Sequence, residues 1–145
     1  MQFEQDWVDR GWLRQLMVWN KDSMVLGYSE YHYKHESILF GWKPNGDRLK
    51  CPDRTRTTVW DFARPKASRE HPTMKPVEMW QYAITNHTET DGLLYEPCGG
   101  SGTTLIACTK TNRKCYMMEL DPHYCDVIVK RWEDYTGLKA SLEIT

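Results

Sequence analysis

The chain has 145 residues, 40% of them hydrophobic and 27% charged, with 19 basic and 20 acidic side chains for a net charge of −1. That is enough chain to bury one ordinary core; no apolar run approaches the roughly 20 residues needed to span a bilayer, and the start Met-Gln-Phe-Glu-Gln-Asp has neither part of a signal peptide, so a cytoplasmic protein without membrane contact is expected. Five cysteines with no CxxC pair signal neither a zinc nor a redox site, the overall charge names no nucleic-acid partner, and the seven Trp and eight Tyr are read chiefly as core.

Taken in order, Phe3, Trp7 and Val8 have the spacing of a helix over residues 3–10. Leu-Met-Val-Trp at 16–19 and Ile-Leu-Phe-Gly-Trp at 38–42 have the length of buried strands, the second closed by the turn signal Lys-Pro-Asn-Gly at 43–46. Val59-Trp60 suits a third, brief strand, and 61–75 an ordered loop. Pro76 fits the first turn of a helix in which Val77, Trp80, Ala83 and Ile84 recur at helical spacing. A turn at Asp91-Gly92 follows, then a strand over 93–98, a glycine-rich turn over 99–102, a helix over 103–110, a strand over 114–120 and a helix over 122–135. Residues 140–144 offer a last strand. Strand, glycine turn, helix, strand, helix is the order of a doubly wound sheet. The predicted fold class is therefore α/β with a mostly parallel sheet, in a single domain over 1–145.

Charge is uneven along this order. Residues 43–75 hold nine basic side chains, among them Arg54, Arg56, Arg64, Lys66 and Arg69, against four acidic ones, a local excess of +5. Such a stretch suits phosphate contact, although a solvated loop carries similar charge.

The sharpest signal is Glu96-Pro97-Cys98-Gly99-Gly100-Ser101-Gly102-Thr103-Thr104. A strand that delivers glycines into a helix N-terminus lets the backbone approach a ligand closely. Gly100-x-Gly102 begins like a dinucleotide fingerprint, but Leu105 stands where the third glycine belongs, and the GxxxxGK[ST] phosphate loop is absent. Glu119 closes the next strand, twenty positions beyond Gly99, where doubly wound folds place the acid that accepts ribose hydroxyls. Together these features point to an adenosine ligand without a pyrophosphate.

At this point the sequence resembles a family. The glycine segment is similar to the cofactor loop of the DNA N6-adenine/N4-cytosine methyltransferases. His71-Pro72-Thr73-Met74-Lys75-Pro76 resembles the family's motif for the methionine end of the cofactor, and Met118-Glu119-Leu120-Asp121-Pro122-x-Tyr124 its ribose-binding strand end. Residues 31–42 resemble a segment of phage and prophage members. The resemblance covers about 16–137. It implies a Rossmann-like, S-adenosylmethionine-dependent methyltransferase fold, incomplete at its N-terminal side, in a bacterial or phage-encoded protein. It also implies a cofactor site of His71, Pro72, Thr73, Lys75, Pro76, Glu96, Pro97, Cys98, Gly99, Gly100, Ser101, Gly102, Thr103, Glu119 and Leu120. Double-stranded DNA is the implied partner, met by Arg54, Arg56, Arg64, Lys66 and Arg69. Two positions depart from the family pattern. Glu96 replaces the usual Asp, with reach to the cofactor's ammonium group, and Cys98 replaces a Phe that would pack on the cofactor.

The family transfers methyl through [Asp/Asn/Ser]-Pro-Pro-[Tyr/Phe/Trp], and no Pro-Pro pair occurs in the chain. The expectation is that this motif lies upstream of Met1, that no catalytic residue lies within the chain, and that the chain alone is inactive. Asp121-Pro122-His123-Tyr124 mimics the motif, but it reads as structural, with Asp121 an N-cap and Pro122 at N1. The His32-x-x-His35-Glu36 spacing does not converge on a metal, so no metal site is predicted. The parent reaction is methyl transfer to the exocyclic amine of adenine or cytosine in DNA. The alternatives are a non-catalytic remnant that binds cofactor or DNA, and one half of a split enzyme. A chain bearing the Pro-Pro motif, or a second copy, would then be the protein partner.

Overall fold

A computed structural model describes residues 2–28, 30–52, 54–65 and 74–143. The chain divides into two compact units, Met1–Arg64 and Pro65–Thr145.

The first unit is helix α1 (Gln2–Asp9) followed by strands β1 (Leu13–Val25), β2 (Tyr33–Gly41) and β3 (Val59–Asp61), in the sheet order β2-β1-β3. β1 pairs antiparallel with β2 and parallel with β3. Met17, Trp19 and Lys21 alternate along β1 and are all buried. This is the period-2 pattern of a strand with one covered face. Trp19 anchors that face: its indole N–H donates to the Phe62 carbonyl at 2.7 Å. Lys21 continues the buried row because its charge is answered. Its ammonium lies 2.8 Å from the Glu36 carboxylate and 5.2 Å from the Trp19 ring centroid. β1 is thus much longer than its apolar run at 16–19. Ladder pairing such as Asn20↔His35 carries it through polar residues.

The second unit is helix α2 (Val77–His87), strand β4 (Leu93–Glu96), helix α3 (Thr103–Lys110), strand β5 (Lys114–Met117) and helix α4 (Pro122–Thr136). β4 and β5 form a parallel pair in register from Leu93↔Lys114 to Glu96↔Met117, joined by the crossover helix α3. Ile84, Ala107 and Cys108 are the centre of the core, with Val77, Trp80, Leu94 and Cys115 packed around them. Leu94 and Cys115 therefore face the helices, whereas Leu93, Tyr95 and Tyr116, one position out of phase, are exposed. Pro76 is the N-cap of α2, one step before the predicted first turn. The α/β class and the parallel βαβ order are as the sequence predicts. The last strand expected at 140–144 is not formed over residues 140–143. There the Ala140 N–H bonds to the Glu133 carboxylate at 2.9 Å, which folds the chain back on α4.

Candidate cofactor site

β4 and β5 end together, and two further backbone bonds tie their exits. The Met118 N–H donates to the Glu96 carbonyl, and the Gly99 N–H donates to the Met118 carbonyl, each at 2.8 Å. The chain leaving β4 must then turn sharply across these ends to start α3. Gly99 lies so close to β5 that a Cβ there would come within 2.7 Å of the Met117 side chain. Gly102, the N-cap of α3, has φ +76°, a conformation that costs other L residues about 1–2 kcal/mol. Both glycines therefore favour the turn, independently of any ligand.

Two carboxylates then fix it. Glu96 accepts the Cys98 N–H on one oxygen (3.1 Å) and the Thr104 hydroxyl on the other (2.9 Å). Glu119, one residue beyond Met118, accepts the Gly100 N–H at 2.6 Å on one oxygen. On its other oxygen it accepts the Leu120 and Asp121 N–H groups, at 2.8 and 3.0 Å. Beneath the turn, the Cys108 thiol has its pKa raised by its hydrogen bond with Cys115 and by burial, and stays protonated.

In front of the turn lies a cavity of about 290 Å³, lined by Met74, Lys75, Trp80, Glu96, Cys98, Gly99, Gly100, Ser101, Thr103 and Thr104. Of the residues expected at the cofactor, Lys75, Glu96, Cys98, Gly99, Gly100, Ser101 and Thr103 are thus brought together. Gly102 is buried behind the turn against Ile128, Pro76 is buried at the head of α2, and Pro97 is exposed beside the turn. Glu119 is half-buried at the turn's edge and Leu120 is almost fully exposed; neither is part of the cavity lining. His71, Pro72 and Thr73 lie outside the described residues. Met74, Trp80 and Thr104 line the cavity without having been singled out. Met74 and Thr104 sit inside the quoted motifs, whereas Trp80 had only the helical spacing of a core residue.

The near-match at 121–124 is a helix start. Asp121 caps α4 by accepting the His123 N–H at 2.9 Å, and Pro122 occupies the first turn. His32 and His35 do not converge either: the Gly27 N–H donates to His32 at 3.4 Å, and His35 packs edge-on against Tyr33. No group of ligands that could hold a metal occurs among the described residues. No helix among them is long and apolar enough to cross a membrane. Of the basic residues expected at DNA, Arg54, Arg56 and Arg64 are exposed. The Arg64 backbone N–H donates to Asp22 at 2.8 Å, which lowers the pKa of that carboxyl. Lys66 and Arg69 lie outside the described residues.

A parallel strand pair joined by a helix, with a glycine turn pinned by an acid at the end of the second strand, is the arrangement with which doubly wound α/β folds bind nucleosides. Residues 2–130 match the model of the DNA methylase family N6_N4_Mtase, and the chain belongs to that family. It is 26% identical over 140 residues to the type II methyltransferase M.Cfr9I of Citrobacter freundii, covering 83% of this chain and 45% of that protein. It is 31% identical over 136 residues to the type II methyltransferase M2.MboI of Moraxella bovis, with coverage of 83% and 50%. The chain thus spans about half the length of the curated relatives it matches. The crystal structure of the M1.HpyAVI–SAM complex superposes with a TM-score of 0.74 at 20% identity, over 90% of this chain and 68% of that one. The cytosine-N4-specific PvuII DNA methyltransferase superposes with a TM-score of 0.67 at 16% identity, over 90% and 55%. Both are likenesses of fold.

Proposed function

We propose that this chain is the cofactor-holding portion of an S-adenosylmethionine-dependent DNA amino-methyltransferase, acting on the exocyclic nitrogen of adenine or cytosine. The carrying observation is the cavity lined by the glycine turn together with Met74, Lys75 and Trp80, beside two carboxylates already fixed in place. The wall suits the group. It combines apolar surface from Met74, Trp80 and Cys98 with the acceptor Glu96 and the backbone of a glycine turn.

Bound there, S-adenosylmethionine supplies an electrophilic methyl group on sulfonium sulfur. Glu96 would take the ammonium of its methionine end, and Glu119 would take the ribose at the edge of the turn. The side chains of Met74 and Trp80 exclude water from the cavity wall. His71, Pro72 and Thr73 complete the methionine end. Arg54, Arg56, Arg64, Lys66 and Arg69 meet the phosphates of double-stranded DNA.

Holding the target base in line with the methyl group is a separate task, worth on the order of 7–11 kcal/mol of barrier when positioning is complete. No Pro-Pro pair is present to perform it, so the base-holding segment comes from outside these residues, in the same polypeptide or in a partner. A tritiated-methyl assay on unmethylated DNA, with protein from a methylase-deficient host, tests this division of labour. The chain alone is expected to give background. Transfer by the chain alone that disappears in Tyr124→Ala would instead make residues 121–124 the catalytic motif.

A further inference from the structure

We infer that Arg131 is a positioning residue that holds the glycine turn in place against the segment entering α2 at the cofactor cavity, a role resting on the cofactor reading above. Arg131 belongs to no motif in the sequence and does not line the cavity. It projects from α4, one turn beyond Ile128, the residue on which Gly102 sits. One guanidinium nitrogen, Nη1, donates to the Ser101 carbonyl at 2.9 Å, to the Ser101 hydroxyl at 3.1 Å and to the Thr103 hydroxyl at 3.3 Å. Both acceptor residues line the cavity, and both are about 95% buried, with exposures of 5% and 6%. These are charge-assisted bonds in a place where water competes poorly.

The contact extends past the turn. The same Thr103 hydroxyl donates to the Lys75 carbonyl at 3.5 Å, and Lys75, on the segment that enters α2, also lines the cavity. A hydroxyl has one proton and two acceptor sites, so Thr103 can accept from Arg131 while donating to Lys75. Arg131 thereby fixes which way the hydroxyl points. The chain Arg131–Thr103–Lys75 couples α4 to the glycine turn and, through it, to the segment entering α2. Glu119 restrains the other end of the turn, at Gly100. Held at both ends, the turn is preorganised, and a ligand in the cavity loses less freedom in binding than it would at a loose turn.

Arg131→Met keeps the aliphatic stem and removes the donors, Arg131→Lys keeps one charged donor, and Thr103→Val cuts the relay at constant shape. Two measurements are made on the whole chain, well below its unfolding temperature. In the ligand-free protein, hydrogen–deuterium exchange of peptides spanning 99–104 should accelerate in Arg131→Met, while peptides over 105–110 in α3 stay protected. By calorimetry, S-adenosylhomocysteine should bind Arg131→Met about tenfold more weakly, and Arg131→Lys should recover part of the loss. In a Thr103→Val background, the Arg131 substitution should add much less than it does alone. Unchanged exchange over 99–104 would overturn the positioning role. So would an Arg131→Met affinity within twofold of wild type, or losses that simply add. If wild-type protein does not bind S-adenosylhomocysteine at all, the cofactor reading fails, and the exchange experiment still decides whether Arg131 holds the turn.

Discussion

The carboxylate of Glu119 accepts the backbone N–H of Gly100 at 2.6 Å, across nineteen residues of sequence, and so ties the end of β5 to the glycine turn that follows β4. One side chain thereby shapes the cavity's edge and, in the cofactor reading, also meets the ribose. Glu119→Ala removes both functions. Losing charge-assisted hydrogen bonds at a half-buried site should weaken S-adenosylhomocysteine binding by about 1.5–3 kcal/mol, roughly ten- to a hundredfold. Glu119→Gln, which retains an acceptor, should lose less. Titration calorimetry on the three proteins checks this order, and an alanine variant that binds like wild type would remove Glu119 from the ribose.

Gly102 and Gly137 form a matched pair for the backbone. Both are left-handed, at φ +76° and +73°, but a Cβ on Gly102 would meet Ile128 atoms at 3.2 Å, whereas one on Gly137 meets nothing within 4 Å. Alanine at Gly137 should cost only the conformational penalty of about 1–2 kcal/mol. Alanine at Gly102 should cost more, because α4 must also move. Urea denaturation of the two variants compares them directly; equal losses would mean that Ile128 yields freely.

The exposed cations Arg54 and Arg56 test the proposed DNA contact. If both meet phosphates, replacing them with glutamine should weaken DNA binding and flatten its salt dependence by about one unit of slope per lost contact. A slope identical to wild type would make this stretch a solvated loop.

Cysteine chemistry gives a map of access. Cys98 lines the cavity and is exposed, and Cys125 is exposed, whereas Cys108 is fully buried. The hydrogen bond with Cys115 and burial both raise the Cys108 pKa and keep the inert thiol form. Alkylation read by peptide mapping should therefore modify Cys98 and Cys125 quickly, and Cys108 only after unfolding. Bound S-adenosylhomocysteine should protect Cys98 and leave Cys125 reactive. Early modification of Cys108 would contradict the packing of α3 on β5.

The α/β order and the glycine turn were legible because they depend on local rules: glycine before a helix, Asp121-Pro122 as a helix start, and apolar spacing in α2. What was hidden depends on partners distant in sequence. Polar Asn20 and Lys21 continue β1 because β2 pairs His35 with Asn20 and supplies Glu36 as the counter-charge of Lys21, neither of which marks these residues locally. Trp80 has the same helical spacing whether it packs in a core or also walls a cavity. Arg131 lies among the polar residues of an amphipathic helix, and only the packing of α4 beneath the turn brings it to Ser101 and Thr103.

The most direct measurement is a calorimetric titration of the wild-type chain with S-adenosylhomocysteine, run beside identical titrations with NAD and ATP. A cavity that holds an adenosine through a glycine turn and an acid, with no phosphate loop, should give a one-site isotherm with S-adenosylhomocysteine and much weaker binding of either phosphate-bearing nucleotide. Absence of binding, or NAD or ATP binding as tightly, would contradict the assignment of this cavity to S-adenosylmethionine.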